Sequence, residues 1–244
     1  MSDDRQERAR PSEDDHLAAT RKAVIAAALP HVAFDGWTDR TLAQAVAEAG
    51  VDPGLSRLAF PRGGVDLALA FHMAKDAELA DDLAGADLLG LRFRDRVAHA
   101  VVRRLELVAG DREAVRRGAT LFALPHHAAD GARAIWHTAD TIWTALGDES
   151  RDLSWYSKRA TLSAVYSSAL LYWLGDEAPG ATATREFVAR RIDDVMRIEG
   201  LKARLRENPV AALMMKGPQA VLDRVRAPGA GRRDAMPGSW RRPH

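Results

Sequence analysis

The sequence contains no cysteine in its 244 residues. This absence excludes disulfide bonds and cysteine-ligated zinc or iron–sulfur sites. No apolar run approaches the roughly 18 residues that a membrane-spanning helix needs. The first residues, MSDDRQERARPSEDD, lack the apolar centre of a secretory signal. We therefore expect no membrane-spanning helix, and we expect residues 1–15 to be a disordered lead.

The signals of β-strands are also missing. No hairpin dipeptide is flanked by alternating apolar residues, whereas apolar residues recur with helical spacing and Ala and Leu dominate the composition. The first helix should end at Pro30, because proline disrupts helical hydrogen bonding. Later helices are expected at about 126–146, 152–174 and 179–198. The sequence predicts an all-α bundle of about nine to ten helices.

Motifs for catalysis are absent as well. The sequence has no Gly-x-Ser-x-Gly elbow, no Walker loop and no dinucleotide-binding fingerprint. His126, Asp130 and His137 are metal-ligand types within one predicted helix, but Trp136 and other apolar residues compete for its buried face. We interpret these histidines as structural or surface residues and predict no enzyme, metal or cofactor. A metal-dependent enzyme is the weaker alternative.

A helix, a tight turn and a short helix are predicted in the segment TLAQAVAEAGVDPGLSRLAFPRGGVDLALAF. Thr38 or Asp39 caps the first helix and Gly50 ends it, while Asp52 caps the second. The pattern resembles the helix-turn-helix of TetR-type proteins. Residues 31–75 hold four Lys/Arg and five Asp/Glu, and the short helix offers only Arg57 as a long donor. Since phosphate neutralisation dominates DNA affinity, we predict a scaffold that binds no nucleic acid.

Two later helices carry apolar faces with large aromatic residues interleaved with small ones. Such faces either interlock or leave an apolar cavity between helices. Sequence alone leaves both outcomes open. If a cavity is present, the candidate lipid-binding residues are Leu121, Phe122, Ile135, Trp136, Ile142, Trp143, Leu162, Val165, Tyr166, Leu170 and Trp173.

The C-terminal region is basic, with ten Lys/Arg and four Asp/Glu from Glu199 onward, a net charge of +6. Apolar and basic residues in its first part fit a segment that lies in a membrane interface. Packing on the body or on a dimer partner explains the same pattern equally well. The candidate membrane-binding residues are Val210, Leu213, Met214, Lys216, Val221, Leu222, Arg224, Val225 and Arg226.

Three stretches resemble the Coq-nine family of ubiquinone biosynthesis accessory proteins, in its bacterial form. They are ALPHVAFDGWT, LFALPHHAADGARAIWHTADTIWTALGDESRDLSWYSKRATLSAVYSSALLYWLGD and ARRIDDVMRIE. The resemblance implies a TetR-like bundle with a helix-turn-helix-like three-helix part and a larger ligand-binding part. It also implies a homodimer without catalytic residues that binds an isoprenoid quinone precursor. The lipid is presented to the demethoxyubiquinone hydroxylase at the inner face of the cytoplasmic membrane. A TetR-type repressor with a hydrophobic ligand pocket is the alternative.

The resemblance also implies a contact surface for the hydroxylase in DLSWYSKRA, formed by Trp155, Tyr156, Lys158 and Arg159. Trp155 and Tyr156 are consecutive, so they cannot both face the core of one helix, and exposed aromatics beside arginine are typical interface anchors. We predict five segments: the lead 1–15, a helix-turn-helix region 16–75, a lipid-binding bundle 76–200, a membrane-binding segment 201–226 and a disordered basic tail 227–244.

Overall fold

The computed structural model describes the backbone of residues 13–207 and the side chains of residues 13–197. Within residues 13–207 there are nine α-helices and no strand, which confirms the all-α prediction. The helices are α1 (Glu13–Asp35), α2 (Asp39–Glu48), α3 (Pro53–Ala59), α4 (Gly64–Gly85), α5 (Phe93–Glu106), α6 (Arg112–Ala123), α7 (Ala128–Ala145), α8 (Leu153–Gly175) and α9 (Thr182–Glu207). The predicted lead, the membrane-binding residues between Val210 and Arg226 and the basic tail lie largely or wholly outside the described residues.

The chain forms two compact units. The first comprises the described part of Met1–Phe71 together with Glu113–Leu121, and the second comprises His72–Arg112 and the described residues from Phe122 onward. Helices α4 and α6 therefore each contribute residues to both units.

The helix-turn-helix segment of the first unit has the predicted caps. The Thr38 side chain accepts a hydrogen bond from the Thr41 amide, and the Asp52 carboxylate accepts from the amides of Gly54 and Leu55. Gly50 adopts φ +63°, the left-handed conformation that favours glycine after a helix. These local bonds satisfy the amides at the helix starts, which explains why short α2 and α3 form where the sequence predicts them.

Trp37 is the centre of the core of the first unit. Its indole Nε1 donates to the Ala114 carbonyl at 2.9 Å, and its ring lies 5.3 Å from that of Phe71. Gly118 gives the indole room, because a Cβ there would lie 3.4 Å from Trp37 Nε1. The α6 residues thus complete a core that α1 to α3 begin.

Helix α1 differs from the prediction at Pro30, since it continues to Asp35 with this proline inside it. Val32, beyond the proline, is fully buried, and α1 packs on α2 and α3. Burial of such a residue offsets the roughly 3 kcal/mol that an interior proline costs. Among the described helices, α1 is also long and apolar enough to cross a membrane by length and composition. That finding differs from the expectation of no such helix, although in the structure α1 supplies the core of its unit.

In the second unit, α7 packs along α8, and both α5 and α8 pack on α9. The core includes Val101 of α5, Ile142 of α7, Tyr166 of α8 and Val188 of α9, each almost fully buried. Helix α9 extends to Glu207, beyond the predicted end at residue 198. The four helices border the candidate site.

Candidate functional site

A cavity of about 260 Å³ lies between α5, α7, α8 and α9 in the second unit. Its apolar lining consists of Phe93, Val97, Trp143, Leu162, Val165, Ile192, Val195 and Met196. Its polar lining consists of Arg94, Ser154, Ser157, Lys158 and Thr161. The cavity therefore combines a largely apolar wall with a small set of hydrogen-bonding groups, the usual character of a small-molecule site.

Helix α8 arranges these groups in order along its axis. Ser154, Ser157, Lys158 and Thr161 occur at spacings of three and four and share one helix face. The same face continues into apolar residues one and two turns later, at Leu162 and Val165. The lining contributed by α8 is thus polar at its first turns and apolar further along, which suits an amphiphilic ligand.

Trp143 of α7 forms one wall of the cavity and is held on two sides. Its ring stacks on Phe93 at 5.5 Å, and the Lys158 ammonium lies 5.3 Å from its centroid. Its indole Nε1 donates to the Lys158 carbonyl at 3.1 Å. Cation–π attraction and this hydrogen bond fix the ring, so the wall is preorganised.

A buried ion network supports the polar end of the cavity. Arg159 is 1% exposed, and its guanidinium binds Asp148 at 2.9 Å and Asp140 at 2.5 Å. Lys158 Nζ donates to Asp148 Oδ1 at 2.7 Å. Burial acts to raise the pKa of Asp148, but hydrogen bonds from Lys158, Ser150 and Arg159 outweigh it and lower this pKa to about 2. The carboxylate is therefore charged at neutral pH and keeps Lys158 in place.

An ion pair joins α5 to α9 beside the cavity. Arg94 Nη1 lies 2.9 Å from Asp193 Oδ1, and both side chains are about 40% exposed. At that exposure the pair contributes at most about 1 kcal/mol to stability, since water screens it. The ion pair can therefore position α9 while still allowing the helix to move.

A second buried network connects α4, α5 and α7 in the same unit. Asp76 is fully buried and accepts from Arg104 Nε at 2.7 Å, from Thr138 Oγ1 at 2.9 Å and from His137 Nδ1 at 2.7 Å. Burial acts to raise the pKa of Asp76, but His72, His137 and Arg104 outweigh it and lower this pKa to about 2. Burial lowers the pKa of His72 to about 4, despite the attraction of Asp76.

This network explains residues whose role the sequence leaves open. His137 is a partner of Asp76, and Asp130 pairs with Arg133 at 2.9 Å. Among the described residues, no group of three or more His, Cys, Asp or Glu side chains is placed to hold a metal ion.

The predicted lipid-binding residues divide into three groups. Trp143, Leu162 and Val165 line the cavity, and Trp173 lines a second cavity of about 320 Å³ in the same unit. Trp136, Ile142 and Tyr166 are buried, and Ile135, Phe122 and Leu170 are half-buried, but none of these six lines either cavity. Leu121 belongs to the first unit. The sequence did not predict the part of the lining that α5 and α9 contribute.

The predicted hydroxylase surface is only partly accessible. Trp155 is 2% exposed and Arg159 1%, so neither is a surface residue, whereas Tyr156 and Lys158 are half-buried. Trp155 packs edge-on to Tyr156 at 4.8 Å and 5.9 Å from Trp136, and the Arg159 guanidinium lies 4.0 Å from its ring. The expected exposed patch of four residues therefore reduces to two, because Trp155 and Arg159 complete the packing of α7 against α8.

The candidate recognition helix α3 has only seven residues. It exposes Arg57 and Leu58, and Leu58 is 65% exposed. An apolar side chain beside one arginine gives few phosphate contacts, and DNA-binding proteins generally use several. The absence of nucleic-acid binding stays a prediction.

Comparison with known proteins first defines the class of fold. The chain is similar to the TetR transcriptional regulator from Nitrosomonas europaea ATCC 19718, with a TM-score of 0.57 and 20% sequence identity over 72% of this chain and 97% of that one. The fold is therefore the TetR-like all-helical fold, as predicted.

Residues 128–199 match the family model described as COQ9. The chain is 30% identical over 185 residues to the mitochondrial ubiquinone biosynthesis protein COQ9 of Drosophila melanogaster, covering 74% of this chain and 56% of that protein. It is 30% identical over 183 residues to the Homo sapiens protein of the same name, covering 71% and 56%. The Schizosaccharomyces pombe protein is 26% identical over 193 residues, covering 78% and 75%. Residues 128–199 therefore form a COQ9 domain, and the chain spans somewhat more than half the length of the first two relatives.

Proposed function

We propose that this protein is a non-enzymatic accessory protein of ubiquinone biosynthesis that binds an isoprenoid quinone precursor in the cavity between α5, α7, α8 and α9. The relatives are named ubiquinone biosynthesis proteins, and the COQ9 domain contains α7, α8 and much of α9. The observation that carries the proposal is the order of the α8 lining, polar at Ser154 to Thr161 and apolar at Leu162 and Val165. A quinone precursor has the matching order, an oxygen-bearing ring followed by a hydrocarbon tail.

The polar end can recognise the ring by its oxygens. Quinone and methoxy oxygens accept hydrogen bonds, and Lys158 at this end, like Arg94 in the α5 part of the lining, carries N–H donors. The tail would follow the apolar walls, where each buried CH₂ contributes about 0.8 kcal/mol. The volume of about 260 Å³ is slightly below that of typical small-molecule sites, roughly 300–1,000 Å³. A long tail therefore fits only if α9 shifts outward or if most of the tail stays outside.

The test is to identify the bound lipid and to block its site. Organic extracts of the purified protein are analysed by mass spectrometry, and uptake of a short-chain quinone is measured. Val165→Phe places a larger side chain in the cavity and should abolish most uptake, whereas Ala164→Phe, one residue along α8 at an exposed position, should not. Equal uptake by the two variants would show that the cavity is not the site.

The proposal includes presentation of the lipid to the demethoxyubiquinone hydroxylase. The accessible residues of the predicted contact surface are Tyr156 and Lys158. Tyr156→Ala should weaken hydroxylase support with the protein still folded. Trp155→Ala is uninformative for contact, because removing a buried Trp costs about 3–5 kcal/mol of stability. Full support by a folded Tyr156→Ala variant would place the hydroxylase contact elsewhere.

Membrane contact at the inner face of the cytoplasmic membrane and homodimer formation complete the proposal. The names of the relatives include the word mitochondrial, and the basic residues of the C-terminal region suit an anionic bilayer. For the dimer, Leu171 on α8 is 66% exposed, and Tyr172 stacks on Phe187 at 4.4 Å while itself 40% exposed. These residues offer an apolar surface for a second copy. Sedimentation equilibrium with Leu171→Glu tests it, and an unchanged dimer would exclude this surface.

A further inference from the structure

The turn between α4 and α5 exposes apolar side chains at its tip. It closes with a hydrogen bond from the Leu91 amide to the Leu88 carbonyl at 3.1 Å. Leu89, at the tip, is 89% exposed, the highest value among the large hydrophobic residues in the described part of the chain. Leu91 and Phe93 are 41% and 42% exposed. Since turn tips usually carry polar residues or glycine, these side chains indicate a binding surface.

Arginines alternate with these apolar residues. Arg92, Arg94 and Arg96 follow the turn, and residues 86–96 contain two aspartates, Asp87 and Asp95, so the net charge is +1. Arg92 pairs with Asp95 at 2.8 Å while its side chain remains 71% exposed. Exposed leucines next to arginines on flexible stems fit the boundary between acyl chains and anionic headgroups.

The same turn is continuous with the cavity. Phe93 and Arg94, the first two residues of α5 after the turn, also line the cavity, where Phe93 stacks on Trp143. We propose that Leu89, Leu91 and Phe93 insert into an anionic phospholipid bilayer and that the cavity is loaded from the membrane at this turn. The loading step rests on the proposed lipid-binding function. The insertion itself depends neither on that function nor on the predicted membrane-binding residues 210–226.

A bilayer fits this surface better than a protein partner does. Three side chains at one turn bury far less than the roughly 1,000 Å² that a specific protein interface needs. Shallow insertion into a bilayer requires only a few apolar side chains with basic residues beside them. Gly90 at the tip also stands clear of the body, since a Cβ there would meet no atom within 4 Å.

The absence of cysteine allows a direct test with the full chain. Leu89→Cys introduces a single thiol for an environment-sensitive nitrobenzoxadiazole dye, and Leu58→Cys, at a site 65% exposed in α3, is the matched control. On vesicles of phosphatidylcholine and phosphatidylglycerol, the dye at residue 89 should shift to the blue and be quenched by spin-labelled lipids. The dye at residue 58 should stay water-like. If the dye at residue 89 keeps its emission in water when vesicles are added, whether or not the protein binds them, the proposal is overturned.

A second variant separates insertion from ligand binding. Leu89→Glu combined with Leu91→Glu should weaken partition onto these vesicles by at least about tenfold, because the transfer of two leucines is lost. Leu58→Glu should leave partition unchanged. Uptake of a detergent-dispersed quinone should be normal in all three proteins. Unchanged partition of the double variant refutes the turn as the insertion site, whereas absent quinone uptake by the unmodified chain refutes the proposed function instead.

Discussion

His72, in the buried network of the second unit, should make the folded protein sensitive to mild acid. Burial lowers the pKa of His72 from its ordinary value of 6.5 to about 4, and the charges that face it are Asp76 on its own helix, Arg104 on α5 and His137 on α7. Between these two pKa values the unfolded chain binds a proton that folded His72 does not. The free energy of unfolding therefore falls as the pH falls from 6.5 to 4. At about 1.4 kcal/mol per pH unit, the full effect is about 3 kcal/mol.

The His72 effect can be separated from that of Asp76 by its pH range. The depressed pKa of Asp76 stabilises the fold above the ordinary value of 3.8, and this contribution is lost only as the pH falls towards 2. Urea unfolding followed by circular dichroism from about pH 7 to about pH 4 thus reports mainly on histidine. His72→Gln retains an amide donor for the Ala134 carbonyl, which lies 3.0 Å from His72 Nε2.

We expect His72→Gln to lose about 3 kcal/mol less stability over this range than the unmodified protein does. The control is His99→Gln, which alters an exposed histidine on α5 and should preserve the original pH dependence. If His72→Gln keeps the full pH dependence of the unmodified protein, then folded His72 does not resist protonation and this explanation of the acid sensitivity is wrong.

Three further predictions concern packing and charge. Gly64→Ala should destabilise the protein by more than about 1 kcal/mol in thermal unfolding, because its Cβ would lie 2.5 Å from the Trp37 carbonyl oxygen. The control Gly85→Ala meets no atom within 4 Å and should be neutral or stabilising. Equal effects of the two substitutions would contradict this packing. Arg159→Met should cost about 3–5 kcal/mol in urea unfolding, since it leaves two aspartates without their buried partner, and a cost below about 1 kcal/mol would show that water reaches them. Asp193→Asn should change stability by less than about 1 kcal/mol yet speed release of a fluorescent quinone in stopped-flow measurements, because the ion pair from Arg94 to α9 is lost while the cavity lining is kept. An unchanged release rate would exclude α9 as the exit.

Local sequence signals were sufficient where structure depends on neighbours in the chain. Thr38, Gly50 and Asp52 form caps through hydrogen bonds within a few residues, so the helix-turn-helix could be predicted. Pro30 gave the wrong helix end, because burial of residues beyond it outweighs the local cost of proline. Local propensity yields to tertiary packing in that case.

The cavity was only partly predictable for a similar reason. The aromatic and apolar residues of α7 and α8 were visible as stripes, but Trp136 interlocks with Trp155 whereas Trp143 borders a space. Whether such side chains interlock or leave a space depends on the distance between the packed helices, and the sequence of one helix does not determine that distance. Ile192 and Met196 of α9, four residues apart, carried a usable signal, since this spacing marks one helix face.

The division into two units has a consequence for producing the helix-turn-helix unit on its own. The polypeptide passes from one unit to the other after Phe71, returns for Glu113–Leu121 and then leaves again. A gene fragment ending at Phe71 would lack the Ala114 carbonyl that receives the Trp37 indole. We therefore expect an isolated fragment that ends at Phe71 to be less stable than the same unit in the full chain, because its buried indole N–H has no acceptor.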